Sequence, residues 1–400
     1  MKRILIAPAH YLLSDKYGSE PLWAYEIVAH LAKNVEEVDV ICGVLDLQTA
    51  LPKNVNVFPI YVNRSGNVYW EFLKRVLFYP FVFWTFIKLN FKHHYTVVHH
   101  LFPLSIATLN PIIFFGKLFG VKKIVLGPLQ LPQTTFSKQD LKLVLVGNSK
   151  SDWSGYLIVP IYVVMLFFIK PLSRLMFRMA DQVICNSKSS KKYYQEVDHL
   201  KNVLVIPTGI TMRAVKKKKI DKISILCIGQ LNKRKGQTLL MEAFYRLTES
   251  YGKDRLQLNL VGDGELREDL MQFISEHKLN EIVKIHKVVP HDRIWSFYDD
   301  NLVYCLPSIS DPSPTVLLEA MMSNLAVVAT DVGAVSEMVG DGGIIVESNN
   351  VDALMKGLEK LIADAVLIAT LSKNGRKRIE DIYDWNQIVK KYIDLYEKKG

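Results

Sequence analysis

The sequence predicts an α/β protein of two doubly wound domains, and three observations carry that prediction. Short apolar runs rich in β-branched residues alternate with longer helical patterns along the chain, as in parallel sheets covered on both faces. The alternation comes as two series, separated at residues 206–222 by a charged stretch in which Pro207-Thr208-Gly209 leads into Lys216, Lys217, Lys218 and Lys219. In the second series Asp311 is followed eight positions later by Glu319 across a Pro/Ser/Thr turn. That spacing places both carboxylates beyond the carboxyl end of a strand, where open α/β sheets bind ligands.

Taken in order, the first series predicts strands at 3–7, 38–42, 55–60, 96–100, 123–127 and 182–186, with helices such as 20–33 between them. The second predicts strands at 223–229, 256–262, 283–289, 302–306, 326–330 and 343–346. Leu240, Ala243, Phe244 and Leu247 share one face of its first helix, the 3.6 period of an amphipathic helix. The expected organisation is an N-terminal domain over 1–205, a linker over 206–222, a C-terminal domain over 223–381, and a last helix over 382–400 that crosses back to the first domain. At 49% hydrophobic and 22% charged, 400 residues suffice for two such cores.

A net charge of +10 suits an anionic partner: a phosphorylated substrate, a nucleic acid or an anionic membrane. Nucleic acid ranks last, because the chain has no RNP-like motif, zinc-finger spacing or basic helix interleaved with stacking aromatics. Cys42, Cys185, Cys227 and Cys305 each lie in or at the end of an apolar run with no Cys-x-x-Cys pair. They are expected as buried free thiols of a reducing compartment. The N-terminus reads as a first strand and not a signal peptide. The apolar run 156–169, interrupted by Pro160, would span roughly 21 Å as a helix, short of the ~30 Å bilayer core. Residues 68–91 interleave Trp70, Phe72, Phe78, Tyr79, Phe81, Phe83, Trp84 and Phe86 with Lys74, Arg75 and Lys88. Such a stretch suits either a helix packed on the first sheet or a surface lying on anionic lipid.

Several loops could hold chemistry. Gly18-Ser19 after the first strand lets backbone N–H groups approach a phosphate, although the turn lacks the Gly-x-Gly-x-x-Gly of a dinucleotide site. His99 and His100 end the fourth strand, where a histidine is more often a satisfied core residue than a ligand contact. In the second half, Gln230, Arg234 and Lys235 lie in G-Q-L-N-K-R-K-G, so cations and a helix start converge on one anion. Gly262-Asp263-Gly264 forms the next loop of the same sheet end. The N–H groups of Thr315 and Val316 open the helix that carries Glu319.

Together these residues resemble the family 4 glycosyltransferases, retaining enzymes of the GT-B architecture, with two Rossmann-like domains facing across a cleft. The resemblance runs over nearly the whole chain: G-S-E-P (18–21), V-V-H-H-L (97–101), G-P (127–128), A-D-Q-V-I-C-N-S (180–187), I-P-T-G (206–209), I-G-Q-L-N-K-R-K-G (228–236), V-G-D-G (261–264), P-S-I-S-D (307–311), L-E-A-M (318–321) and G-A-V-S-E (333–337). It implies that Lys235 and Arg234 bind a donor diphosphate, that Glu319 accepts from the ribose hydroxyls, and that Asp311 contacts the transferred sugar. It also implies that Gly18 lets the opposing domain's backbone approach the diphosphate, and that His100 or His99 lies near the catalytic centre. Three departures stand out: Gln230 replaces a common arginine, Asp311 replaces a glutamate, and His99-His100 replaces a His-x-His spacing.

The resemblance implies a nucleotide-sugar-dependent transferase with its donor on the C-terminal domain and a sugar or lipid-linked acceptor on the N-terminal one. No cofactor and no obligatory metal are expected. The expected setting is cytoplasmic, at the inner face of the cell membrane, in polysaccharide or glycolipid assembly. The alternatives are a nucleotide-sugar epimerase of the same architecture and a non-catalytic sugar-nucleotide-binding subunit.

Overall fold

The computed structural model describes residues 2–16, 20–62, 68–102, 109–132, 169, 171–216, 222–290 and 293–398; within the helix over 68–93, side chains are described at 74 and from 77 onward. The chain divides into two compact units, Met1–Thr208 with Ile388–Gly400, and Gly209–Gln387.

In unit 1 the strands are β1 (Arg3–Ile6), β2 (Leu12–Ser14), β3 (Glu37–Cys42), β4 (Val44–Asp46), β5 (Val55–Pro59), β6 (Val97–His100), β7 (Lys123–Leu129), β8 (Gln182–Cys185) and β9 (Val203–Val205). Seven of them form one parallel sheet in the order β5-β3-β1-β6-β7-β8-β9, and β2 pairs with β4 separately. All six expected strands are present; β2, β4 and β9, of three residues each, are additions. The helices named here are α1 (Glu20–Leu31), α2 (Val68–His93), α3 (Pro111–Phe115) and α4 (Lys188–Glu196).

Among its described side chains, helix α2 is apolar on two faces. Phe78, Val82 and Phe86, at a spacing of four, are buried in the unit 1 core. The opposite face exposes Leu77, Phe81, Trp84 and Phe91, the last two at 57% and 71%. A surface helix normally turns polar residues outward. The run 156–169 lies, up to residue 168, outside the described residues.

Unit 2 has strands β10 (Ile223–Ile228), β11 (Leu256–Val261), β12 (Val283–His286), β13 (Val303–Leu306), β14 (Ala326–Thr330) and β15 (Gly343–Val346), matching the six expected. They form one parallel sheet in the order β12-β11-β10-β13-β14-β15. The side-chain alternation of a strand fills both faces. Ile225 and Cys227 point into a core with Leu240, Phe244 and Leu358. Leu226 points into the other core, with Tyr298, Tyr304 and Leu317. The helices are α5 (Gln237–Tyr251), α6 (Arg267–Glu276), α7 (Trp295–Asp299), α8 (Thr315–Met322), α9 (Val335–Val339), α10 (Val351–Ala363), α11 (Ala365–Arg378) and α12 (Trp385–Glu397). From Ile388 onward α12 belongs to unit 1.

The charged segment expected as a linker is in part a fixed piece of unit 2. Ile210 bridges to Asp384. The Arg213 guanidinium donates to both Asp299 carboxylate oxygens, at 2.6 and 3.2 Å, and to Ser323 Oγ at 2.8 Å. It also lies 4.7 Å from the Trp295 ring centre. Arg213 packs because its planar fork matches a carboxylate while its face stacks on an aromatic ring. The neighbouring lysines hid that role in the sequence.

The four cysteines are free and buried. Burial alone pushes the Cys42 thiol up to about 12, and it is the main cause of the same shift in Cys185 and Cys227. These thiols stay protonated and are poor nucleophiles.

Candidate functional site

The order of the unit 2 sheet puts its switch point between β10 and β13, the first and fourth strands of the series. Loops leaving two adjacent parallel strands toward opposite faces open a crevice at that point. The loops after β10 and β13 are the ones that carry the expected cations and carboxylates.

After β10 the chain makes a short 3₁₀ turn, Lys233–Lys235, whose N-cap Asn232 accepts from the Lys235 N–H at 3.1 Å. Gly236 follows with φ +70°, and a Cβ there would lie 2.0 Å from the Pro307 carbonyl oxygen. Only glycine lets the turn close against the β13 loop. That contact brings Arg234 onto the same loop: its carbonyl accepts from Ile309 N–H at 2.8 Å, and its guanidinium donates to the Ser310 carbonyl at 2.8 Å.

Lys235 Nζ donates to Asp311 Oδ2 at 2.5 Å, with the two side chains 17% and 9% exposed. Two site residues predicted from loops 76 positions apart are therefore direct partners. Asp311 is further framed by Gly333, where a Cβ would lie 2.2 Å from the Asp311 carbonyl oxygen. Helix α8 begins at Thr315, and Pro314 at its N-cap supplies no side-chain acceptor. Thr315 and Val316 thus stand in a first helical turn that favours an anion. One turn on, Glu319 Oε2 accepts from the Tyr298 hydroxyl at 2.6 Å.

Gly262 and Gly264 form the third loop, and packing accounts for both. A Cβ on Gly262 would lie 2.0 Å from the Gly229 carbonyl oxygen, and one on Gly264 would lie 2.3 Å from that of Leu231. The Leu231 N–H donates to the Asp263 carbonyl at 2.9 Å, so the β10 and β11 loops meet backbone to backbone. Gln230 engages through its carbonyl, which accepts from Gln237 Nε2 at 3.0 Å, while its side chain is exposed. Gly18 lies outside the described residues.

The two histidines belong to unit 1 and are both fully buried. His99 Nε2 donates to the Gly127 carbonyl at 3.0 Å, which leaves Nδ1 to accept from the Tyr396 hydroxyl at 2.6 Å. Tyr392 and Tyr396 of α12 pack on its ring. Burial pushes the His99 pKa down to about 3, the Gly127 hydrogen bond acting the other way. His99 is thus built into the core as a neutral imidazole. His100 Nδ1 lies 3.4 Å from Asn110 Nδ2, with the Tyr79 ring beside it. The structure presents neither imidazole at a surface. The strand pattern made them visible, and their burial follows from a position inside a seven-stranded sheet.

A pH prediction follows from His99. The unfolded chain takes up this proton near pH 6.5, whereas the folded chain does so only near 3. The stabilisation is therefore complete above pH 6.5 and is lost as pH falls toward 3. Urea titrations should show about 2 kcal/mol of it lost between pH 6.5 and 5 in the wild type. The same loss in His99→Gln would contradict the assignment.

Sequence missed Tyr298 and Arg213. Their partners sit on elements that only the folded sheet brings together, and neither residue lies in a motif.

Residues 210–378 match the family described as Glycosyl transferases group 1. The chain is 28% identical over 191 residues to the phosphatidylinositol N-acetylglucosaminyltransferase GPI3 subunit of Saccharomyces cerevisiae, a match covering 48% of this chain and 41% of that protein. Curated relatives matched in this way are spanned over 41–62% of their length. Among solved structures, a sucrose-phosphate synthase from Thermosynechococcus elongatus superposes with a TM-score of 0.68 at 19% identity, covering 99% of this chain and 98% of that one. Anabaena HepE in complex with UDP superposes with a TM-score of 0.66 at 16% identity, covering 99% of each chain. The fold is that of the GT-B glycosyltransferases.

Proposed function

We propose, from the membership of residues 210–378 in the group 1 glycosyl transferases, that the protein moves a sugar from a nucleoside-diphosphate-sugar to a hydroxyl acceptor with retention of anomeric configuration. The observation that carries this reading is the meeting of Arg234 and Lys235 with Ser310 and Asp311, in the loop that leads into the Glu319 helix at the unit 2 switch point.

Departure of the nucleoside diphosphate builds negative charge on its terminal phosphate. Lys235, Arg234 and the Thr315 and Val316 N–H groups supply fixed positive charge to that oxygen. These groups take the part that a metal plays elsewhere, so the reaction needs no obligatory metal. Glu319 accepts from the ribose hydroxyls and Asp311 contacts the transferred sugar. Asp311 is not assigned as a covalent nucleophile, and its ion pair with Lys235 suits an electrostatic role. Gly18 retains its assignment to the diphosphate. His100, with His99 kept as the alternative, is assigned near the reacting sugar on the family resemblance alone, both rings being buried within unit 1. Support for a uridine donor comes from HepE, solved with UDP.

The reading is tested by titrating the protein calorimetrically with UDP, GDP and ADP. Saturable binding of one of them is expected; binding of none would overturn it.

The acceptor is assigned to an anionic membrane, at its cytoplasmic face, in polysaccharide or glycolipid assembly. Two observations support this: the outward face of α2, and a yeast relative whose name gives a phosphatidylinositol acceptor. Lys88 Nζ lies over the exposed Trp84 ring at 5.3 Å, and Lys92 follows Phe91. An apolar stripe edged by cations suits a helix lying in a lipid interface. No helix among the described residues is long and apolar enough to cross a membrane. Co-sedimentation with vesicles containing phosphatidylglycerol is expected to weaken with salt. It should fall at least about tenfold in Trp84→Ser/Phe91→Ser, since burying each ring contributes about 1.5–3 kcal/mol. Sedimentation indifferent to lipid charge and to these substitutions would contradict the membrane assignment.

A further inference from the structure

Tyr298 sits on α7 with 0% of its surface exposed, between Trp295 and Tyr304 at ring-centre distances of 5.8 and 6.1 Å. A phenylalanine would fill the same space. The hydroxyl instead donates to Glu319 Oε2 at 2.6 Å, the length of a charge-assisted O–H···O⁻ bond. Burial first, and then the Glu319 charge, hold the phenol well above its ordinary ionisation range, so it remains a donor wherever Glu319 is a carboxylate.

Helix α7 is itself anchored. Arg213 grips Asp299 with two hydrogen bonds, stacks on Trp295 and donates to Ser323 at the C-cap of α8. Arg376 in turn donates to the Arg213 carbonyl at 3.3 Å. Helices α7 and α8 are thus tied at two points, Arg213 at the end of α8 and Tyr298 in its second turn.

We infer that Tyr298 is a positioning residue that fixes the Glu319 carboxylate for the two ribose hydroxyls of the donor. The inference rests on the ribose role given to Glu319 above. A glutamate has three side-chain torsions to restrain, and accepting two neighbouring hydroxyls requires one orientation. A hydrogen bond on Oε2 does not exhaust a carboxylate, which offers about four lone-pair sites. The tyrosine therefore orients the group without consuming its capacity.

The experiment titrates full-length wild type, Tyr298→Phe and Glu319→Gln with UDP, GDP and ADP and with the 2′,3′-dideoxy form of each. For the base it binds, the wild type is expected to prefer the ribose form by at least about tenfold. Tyr298→Phe is expected to lose about tenfold for the ribose form and to keep wild-type affinity for the dideoxy form, bringing its ratio close to that of Glu319→Gln. Both ligands are titrated into one sample, so loss of folded protein changes the stoichiometry and not the ratio. An unchanged ratio in Tyr298→Phe overturns the inference, as does an equal loss for both forms, which a merely structural tyrosine would give. A wild type that binds a nucleotide but ignores the ribose hydroxyls overturns the role of Glu319 itself. Absence of all nucleotide binding overturns the proposed function.

Discussion

Lys235→Ala is expected to weaken nucleoside diphosphate binding, or the turnover that depends on it, by about 10- to 150-fold, equivalent to about 1.5–3 kcal/mol. The size follows from two effects of the same sign. The substitution removes a cation from the diphosphate, and it strips Asp311, only 7% exposed, of the ammonium that neutralises it. An uncompensated carboxylate would then face an incoming anion, and removing one member of an enclosed pair generally costs more than the pair contributes. Calorimetry with the nucleotide, and steady-state rates with its sugar, measure the loss. Unchanged affinity together with unchanged turnover would place the diphosphate elsewhere.

Asp311→Asn is expected to act in the opposite direction on free nucleotide. Asp311 holds Lys235 at 2.5 Å, so it competes with the diphosphate for the same ammonium. Replacing it by a neutral amide should leave nucleoside diphosphate affinity unchanged or raise it by up to about tenfold. Turnover should fall by about 10- to 100-fold, because the carboxylate assigned to the sugar is gone. In the Lys235→Ala background the same substitution should raise affinity further, because it removes the unpaired carboxylate that faces the diphosphate, a non-additivity that a double-mutant cycle reads directly. A fall in nucleotide affinity in Asp311→Asn comparable to that in Lys235→Ala would mean that Asp311 supports the phosphate site rather than opposing it.

Much of the architecture was legible in the sequence because parallel strands buried on both faces are continuous apolar runs. All twelve expected strands are found, and the added ones are three residues long, below what a window of hydrophobicity resolves. Lys235 and Asp311 were each visible from their loops. Their pairing was not, because it depends on β10 lying beside β13, a non-consecutive neighbour. Gly262 and Gly264 were legible as a tight turn, whereas their contact with the β10 loop required the sheet order. Tyr298 and Arg213 carry no local signal, since each takes its role from helices brought together by folding. The composition of α2 left two readings open; Phe78, Val82 and Phe86 turn inward as the core reading expects, while Phe81, Trp84 and Phe91 turn outward, where lipid contact is a proposal.

The central claim is that this chain transfers a sugar from a nucleotide donor through the unit 2 site. It is tested most directly by incubating the protein with UDP-, GDP- and ADP-sugars, with and without a membrane extract as acceptor, and identifying every product by mass spectrometry. The account predicts a glycosylated acceptor and a stoichiometric nucleoside diphosphate, both appearing only when donor and acceptor are present and both strongly reduced in Lys235→Ala. A changed sugar formed from donor alone would make the protein an epimerase. Donor bound but recovered intact beside every acceptor would make it a binding subunit, and either result would contradict the account.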